Sequence, residues 1–269
     1  MVNAIETEQL SLHVGSFHLN NVGVDIPKGK ITAIVGPNGS GKSTLLKIIS
    51  RLVQQDEGDV RIENKSTKEY KPKEIAKTLA MMPQSKQALP NLTIHELISY
   101  GRAPYKKIFD PRSNMDDKEV IDWAMSITGT KKHENRMFYT LSGGEQQKVR
   151  IALALAQKST ILLLDEPTTY LDIAHQLDVM ELLEEINQQH DITVVMVLHE
   201  LQQAAAYCDY LIAMKNGQIV TTGSPKEVLT ASFLKEIYHI EAKVIYEDDY
   251  PLIVPAKRSR SISKYKQAL

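Results

Sequence analysis

Ile31-Thr-Ala-Ile-Val35 runs directly into Gly36-Pro37-Asn38-Gly39-Ser40-Gly41-Lys42-Ser43, and this junction decides the fold. The first five residues are apolar or β-branched and read as a short buried strand. The next eight match the glycine-rich turn that leaves a strand and opens a helix around phosphate. Glycines let the backbone wrap closely around phosphate oxygens, where a Cβ would strain or clash, and the N–H groups then point at the anion. Lys42 is placed to neutralise β- and γ-phosphate charge, Ser43 to ligate magnesium through its hydroxyl, and Thr44 to support the α-phosphate side. A helix starting near Lys42 adds its positive end.

Short apolar runs recur downstream at Leu79–Met82, Ile161–Leu164, Thr193–Leu198 and Leu211–Met214, mostly separated by helical patterns. This alternation predicts an α/β domain with a mostly parallel sheet. Upstream, residues 4–14 and 17–26 alternate around Gly15-Ser16 and read as an antiparallel β subdomain. Between Gln84 and about Gln157 the strand signals stop. Helical patterns over 93–101, 116–128 and 143–157 place an inserted helical subdomain at about 85–157. After Pro225 come a short helical pattern and a strand expected at 243–246. The sequence divides into one domain over 1–255 and a polar, basic tail over 256–269, read as solvated.

Composition sets outer limits. The chain has 269 residues, 42% hydrophobic, with a formal net charge of -1. That is enough apolar residue for a large core, and no global basic excess points to nucleic acid. Its one cysteine, Cys208, cannot form an intramolecular disulfide, which fits a reducing compartment. No signal peptide is expected from the first residues, and no apolar run approaches the ~20 residues needed to span a bilayer. If the protein works at a membrane, other chains must cross it.

Two acids end the run Ile161-Leu-Leu-Leu-Asp165-Glu166, at the sheet edge where open α/β folds present ligand-binding groups. Asp165 is placed to hold the magnesium shell. Glu166, one residue on, points elsewhere and is placed to polarise an attacking water. His199 ends the run Thr193–Leu198 and sits at the same edge.

Leu141-Ser142-Gly143-Gly144-Glu145-Gln-Gln opens a long helical pattern, with Ser142 and Glu145 at capping-box spacing. This is a second helix start suited to an anion. Together with the 36–43 turn, it resembles the signature motif of ABC ATPases, and the remaining stations of that family follow in order. Gln84, after Met81-Met-Pro, is similar to the Q-loop glutamine; Thr169-Tyr-Leu-Asp172 to the D-loop; His199 to the switch histidine. The resemblance covers nearly the whole chain.

The resemblance implies a P-loop ABC ATPase fold and a head-to-tail homodimer. ATP is sandwiched between residues 36–44 of one subunit and Ser142, Gly143 and Gly144 of the other. His199 would contact the γ-phosphate. Gln84 would link the nucleotide and its magnesium to the helical subdomain, and Asp172 would act across the interface. Two positions depart from the family pattern. Val14 stands where an aromatic usually stacks on adenine, with Phe17 or His13 as substitutes, and Thr169-Tyr170 replaces smaller residues in the D-loop.

Long coiled-coil insertions and a second cassette, features of non-transport members that act as mechanical switches, are absent from this sequence. Leu92–Tyr105 and Thr168–Gln176 resemble the corresponding stretches of ATPases that energise uptake of iron chelates, haem and cobalamin, most closely the ferric hydroxamate type. The implied partners are integral-membrane permease subunits and, indirectly, a substrate-binding protein, with the ATPase peripheral on the cytoplasmic face of the membrane. Haem or cobalamin import is the nearest alternative.

Overall fold

A computed structural model describes residues 2–84, 91–106, 113–247 and 250–256, and only the backbone of 113 and 114. The basic tail beyond residue 256 lies outside the described residues.

The chain opens with the antiparallel pair β1 (Asn3–Val14) and β2 (Phe17–Pro27), followed by β3 (Ile31–Val35). The glycine-rich turn leads into α1 (Lys42–Ile49). β4 (Glu57–Ile62) and β5 (Lys65–Ser66) then complete a first sheet in the order β2-β1-β4-β5. α2 (Pro72–Thr78) precedes β6 (Leu79–Met82). Three α-helices follow, α3 (Ile94–Ser99), α4 (Ser113–Ile127) and α5 (Gly143–Leu155), with no strand between them among the described residues. Strands and helices then alternate through β7 (Ile161–Asp165), α6 (Ile173–His190), β8 (Thr193–Val197), α7 (Leu201–Tyr207) and β9 (Tyr210–Lys215). The edge strand β10 (Gln218–Gly223), the helices α8 (Pro225–Val228) and α9 (Ala231–Tyr238), and a hairpin of β11 (Ala242–Glu247) and β12 (Tyr250–Pro255) close the described chain.

The second sheet runs β10-β9-β3-β8-β7-β6 and is parallel except for β10. Every residue of β3, β7 and β8 is buried, which explains why these strands read as continuous apolar runs. Their side chains nevertheless alternate between two cores. Ile31, Ala33, Val35, Leu162 and Leu164 face the cluster shared with α3, α5 and α6. Ile34, Ile161, Leu163 and Val195 face the cluster shared with α1 and the antiparallel sheet. Both layers are therefore clamped onto one sheet, and the loops that leave its C-terminal edge start from fixed points.

Two additions stand out against the sequence reading. β4 carries only Val60 and Ile62 as buried apolar side chains, so its strand character comes from pairing with β1. β12 contains Pro251 and Pro255, which weaken its strand signal, yet it pairs along its length with β11. Within the helical insertion, Arg102 is buried and tied to two other segments. Its Nε donates to Asp117 Oδ1 at 2.7 Å and its guanidinium to the Ala156 carbonyl at 2.8 Å, joining the turn after α3 to α4 and the end of α5.

Candidate functional site

β3 is an interior strand, so the turn that leaves it emerges beside the ends of β8 and β9. Gly36 starts that turn at a φ of 148°, and a Cβ there would stand 2.1 Å from the Met214 carbonyl oxygen of β9. Only glycine fits such an approach. Asn38 and Gly39 form the exposed tip. The Ser40 N–H donates to the Pro37 carbonyl at 3.2 Å, while the Ser40 hydroxyl is buried with no hydrogen-bond partner. Gly41, also at positive φ, precedes the first turn of α1, which carries Lys42, Ser43 and Thr44. Lys42 is buried, and its ammonium donates to the Gly36 and Pro37 carbonyls at 2.8 and 3.0 Å. Burial lowers its pKa, against the opposing pull of the Glu166 and Asp165 carboxylates.

Asp165 ends β7 and is 2% exposed; its Oδ1 accepts from the Ser43 hydroxyl at 2.7 Å. Burial raises the pKa of its carboxyl, and the Ser43 hydroxyl works in the opposite direction. Glu166 then turns away because its backbone is left-handed, with a φ of 56°. This reversal carries its carboxylate into a cluster drawn from three strand ends. Oε2 accepts from Gln84 Nε2 at 2.5 Å and from the Thr169 hydroxyl at 3.0 Å, and Oε1 lies 2.6 Å from His199 Nε2. Gln84 follows β6, Glu166 follows β7 and His199 follows β8. The sequence places Glu166 and His199 at the edge of the sheet and gives Gln84 through the family resemblance alone; the contact of Thr169 with Glu166 has no counterpart in that reading. Its only local signal is a hydroxyl three residues after the acid.

The second helix start has the expected cap. Ser142 Oγ accepts from the Glu145 N–H at 3.3 Å, and Glu145 Oε2 accepts from the Ser142 N–H and hydroxyl at 2.9 and 3.0 Å. These bonds hold the Glu145 carboxyl below the usual range. Its other oxygen faces His133 Nε2 at 3.2 Å, a contact no motif announces. Ser142 and Gly143 are exposed, whereas Gly144 is buried. The hydrogen bonds of Ser142 stay within the cap, and nothing in it joins the 36–44 turn of the same chain. Asp172 caps α6, its Oδ1 accepting the His175 N–H at 2.9 Å, and it too faces solvent. Of the adenine-side residues, Val14 is 59% exposed, and His13 is held by Asp56 at 3.3 Å and packs on the His18 ring. Phe17 lies against Gly41.

Comparison with known proteins points to one family. The family model described as ABC transporter matches residues 19–169. The petrobactin import ATP-binding protein FpuC of Bacillus anthracis is 43% identical over 248 residues, covering 92% of this chain and 91% of that protein. The iron(3+)-hydroxamate import ATP-binding protein FhuC of Bacillus subtilis is 43% identical over 245 residues, 91% of each chain. Among solved structures, the dimeric bacterial ABC transporter cassette MJ0796 superposes with a TM-score of 0.70 at 29% identity, covering 82% of this chain and 98% of that one. With the glycine-rich turn, the paired acids and the capped second helix start all in place, the chain belongs to the ABC transporter family, as one of its ATP-binding, ATP-hydrolysing subunits.

Proposed function

We propose that this subunit powers the import of iron(III)-siderophore complexes, working as a homodimer beneath integral-membrane permease subunits at the cytoplasmic face of the membrane. The observation that carries the enzymatic part is the Glu166 cluster, set beside the Ser43–Asp165 pair at the mouth of the phosphate turn. The import names of FpuC and FhuC support the substrate class. A substrate-binding protein would deliver the chelate to the permease, since the residues of this site suit a nucleotide and not an iron chelate.

Each side chain has a role in this mechanism. Backbone N–H groups of residues 36–44 and the Lys42 ammonium bind the phosphates of ATP. The Ser43 hydroxyl and the Asp165 carboxylate form a hard-oxygen pair that fits magnesium, which takes few protein ligands and completes its shell with phosphate and water. Gln84 stands beside them to contribute its amide oxygen. When bound, the ion offsets phosphate charge. Glu166 accepts a proton from the attacking water, and His199, 2.6 Å away, orients that carboxylate and reaches toward the γ-phosphate. Ser142, Gly143 and Gly144 of the second subunit close over the nucleotide, and Asp172 acts at the same interface.

Transmission to the permease has a surface of its own. A groove of about 390 Å³ lined by Met81, Pro83, Tyr100, Leu153 and Ala154 lies beside Gln84, between β6 and α5. No helix among the described residues is long and apolar enough to cross a membrane. A permease segment seated in this groove would feel each change at Gln84. The test is uptake of radiolabelled ferric siderophore by cells lacking the gene, complemented with wild type or Glu166→Gln. Restoration by wild type alone supports the proposal; uptake independent of the gene refutes the iron substrate.

A further inference from the structure

A ring from α6 fills the space beside the second glycine of the 142–144 helix start. A Cβ on Gly144 would stand 1.9 Å from His175 Cδ2 and 2.6 Å from its Cγ, so the imidazole sits where a side chain at 144 would go. Gly143 has Leu171 Cδ2 as its neighbour, at 3.8 Å from a Cβ built there. The same ring reaches the other way. His175 Nδ1 is buried without a hydrogen-bond partner and faces Asp172 Oδ1 at 3.4 Å, the oxygen that already accepts the His175 N–H. One side chain therefore touches both Gly144 and Asp172 within a single subunit.

Neither end of this contact is ordinary core. Ser142, Gly143, Asp172 and Ile173 are all exposed, Ile173 at 76%. The flanking residues thus belong to a surface, and the ring that joins them is itself part-exposed, lying between the Gly144 backbone on one side and the Asp172 carboxylate on the other. Two loops held by one rigid ring lose their freedom together, so ordering one leaves less to lose in ordering the other.

We propose that His175 is a positioning residue that locks the 169–172 loop to the 142–144 helix start. The two groups that one subunit presents to its partner's nucleotide then move as a unit. This rests on the shared-site dimer described above. Without the ring, each contact across the interface would have to be ordered separately, and closure on ATP would need a higher nucleotide concentration.

The experiment uses the full chain in a Glu166→Gln background, with ATP and magnesium, and reads the ATP concentration at half-maximal dimer formation by light scattering. Binding of a fluorescent ATP analogue to the monomer and the thermal midpoint are measured alongside. His175→Ala is expected to raise the dimerisation midpoint about tenfold, with monomer binding and thermal midpoint unchanged. His175→Phe keeps a ring on Gly144 and is expected to recover part of that loss. Gly144→Ala should be relieved in part by His175→Ala, because the new methyl takes the space the ring leaves, giving a non-additive cycle. Unchanged closure in His175→Ala, or a loss that merely follows a lower thermal midpoint, would overturn the proposal. Strict additivity with Gly144→Ala would do the same. If the Glu166→Gln parent itself stays monomeric at saturating ATP, the shared-site dimer is refuted, and this proposal with it.

Discussion

Replacing Glu166 by glutamine tests the proposed chemistry most directly, because the structure predicts what the change keeps and what it removes. Glu166 Oε2 accepts two donors, Gln84 Nε2 and the Thr169 hydroxyl, and Oε1 meets His199 Nε2. A glutamine can keep its oxygen toward Gln84 and Thr169 and turn its amide N–H toward His199, provided the imidazole presents Nε2 as an acceptor. The cluster is then preserved in shape while the proton acceptor is lost. A positioned general base contributes about 10²- to 10⁴-fold in rate, equivalent to about 3–5 kcal/mol of barrier. Phosphate release at saturating ATP and magnesium should fall by that factor, while binding of a fluorescent nucleotide stays within about twofold, since the phosphate turn is untouched. Turnover within tenfold of wild type would refute the assignment of Glu166 as base. A loss of nucleotide binding equal to the loss of turnover would show instead that the carboxylate serves the shape of the site.

Four further outcomes follow from the same geometry. Lys42→Ala removes a buried cation aimed into the turn, so nucleotide affinity should fall by about 2 kcal/mol in an equilibrium binding titration. Ser142→Arg should block hydrolysis in the dimer yet leave ATP binding to the isolated monomer nearly intact, because Ser142 makes no bond to the 36–44 turn of its own chain; lost monomer binding would contradict this. Arg102→Ala leaves Asp117 as a buried, unpaired carboxylate and should cost about 3–5 kcal/mol in denaturant unfolding. Asp165→Asn should raise the thermal midpoint of nucleotide-free protein at pH 7 while abolishing magnesium-dependent turnover. Its sign comes from linkage: with its pKa raised by burial, the folded state holds this proton more tightly than the unfolded state, so stability falls as pH climbs through the carboxylate range. The stabilisation by Asn should therefore vanish at pH values below that range.

What could be read in the sequence is what local backbone geometry demands. Gly36 is required by the Met214 carbonyl beside it, and Ser142 with Glu145 by the unpaired N–H groups of α5; such needs fix residue types at fixed spacing. Strand runs such as Ile161–Asp165 were visible because burial on both faces leaves no polar position to interrupt them. The polar contacts that complete the site were not visible. His133 on Glu145 and His175 on Gly144 depend on how separate elements meet, and Thr169 on Glu166 depends on the left-handed turn between them, so a single threonine or histidine carries no record of its future neighbour. The left-handed turn at Glu166 was hidden for a related reason: no glycine marks it, and its carboxylate is met by Gln84 and His199 from two other strand ends as well as by Thr169 three residues on.

The distribution of these groups within one chain argues for the shared site. Lys42 on the phosphate turn, the Ser43–Asp165 pair and the Gln84–Glu166–His199 cluster gather at one edge of the sheet, where the proposed mechanism places ATP. Ser142, Gly143 and Asp172 each lie on a capped helix start and are exposed, and the cap hydrogen bonds of Ser142 and Asp172 run to their own helices. A capped helix start with a small-residue face suits an anion, yet the proposed phosphate site of this chain lies on the other group of residues. Two half-sites that complement each other without touching inside one molecule are resolved most simply by a second copy turned head to tail. In that arrangement hydrolysis requires closure and product release permits opening. In the proposed dimer, a subunit so divided would convert the loss of one phosphate into a change of distance between two molecules, the quantity that a permease seated on the groove beside Gln84 would follow.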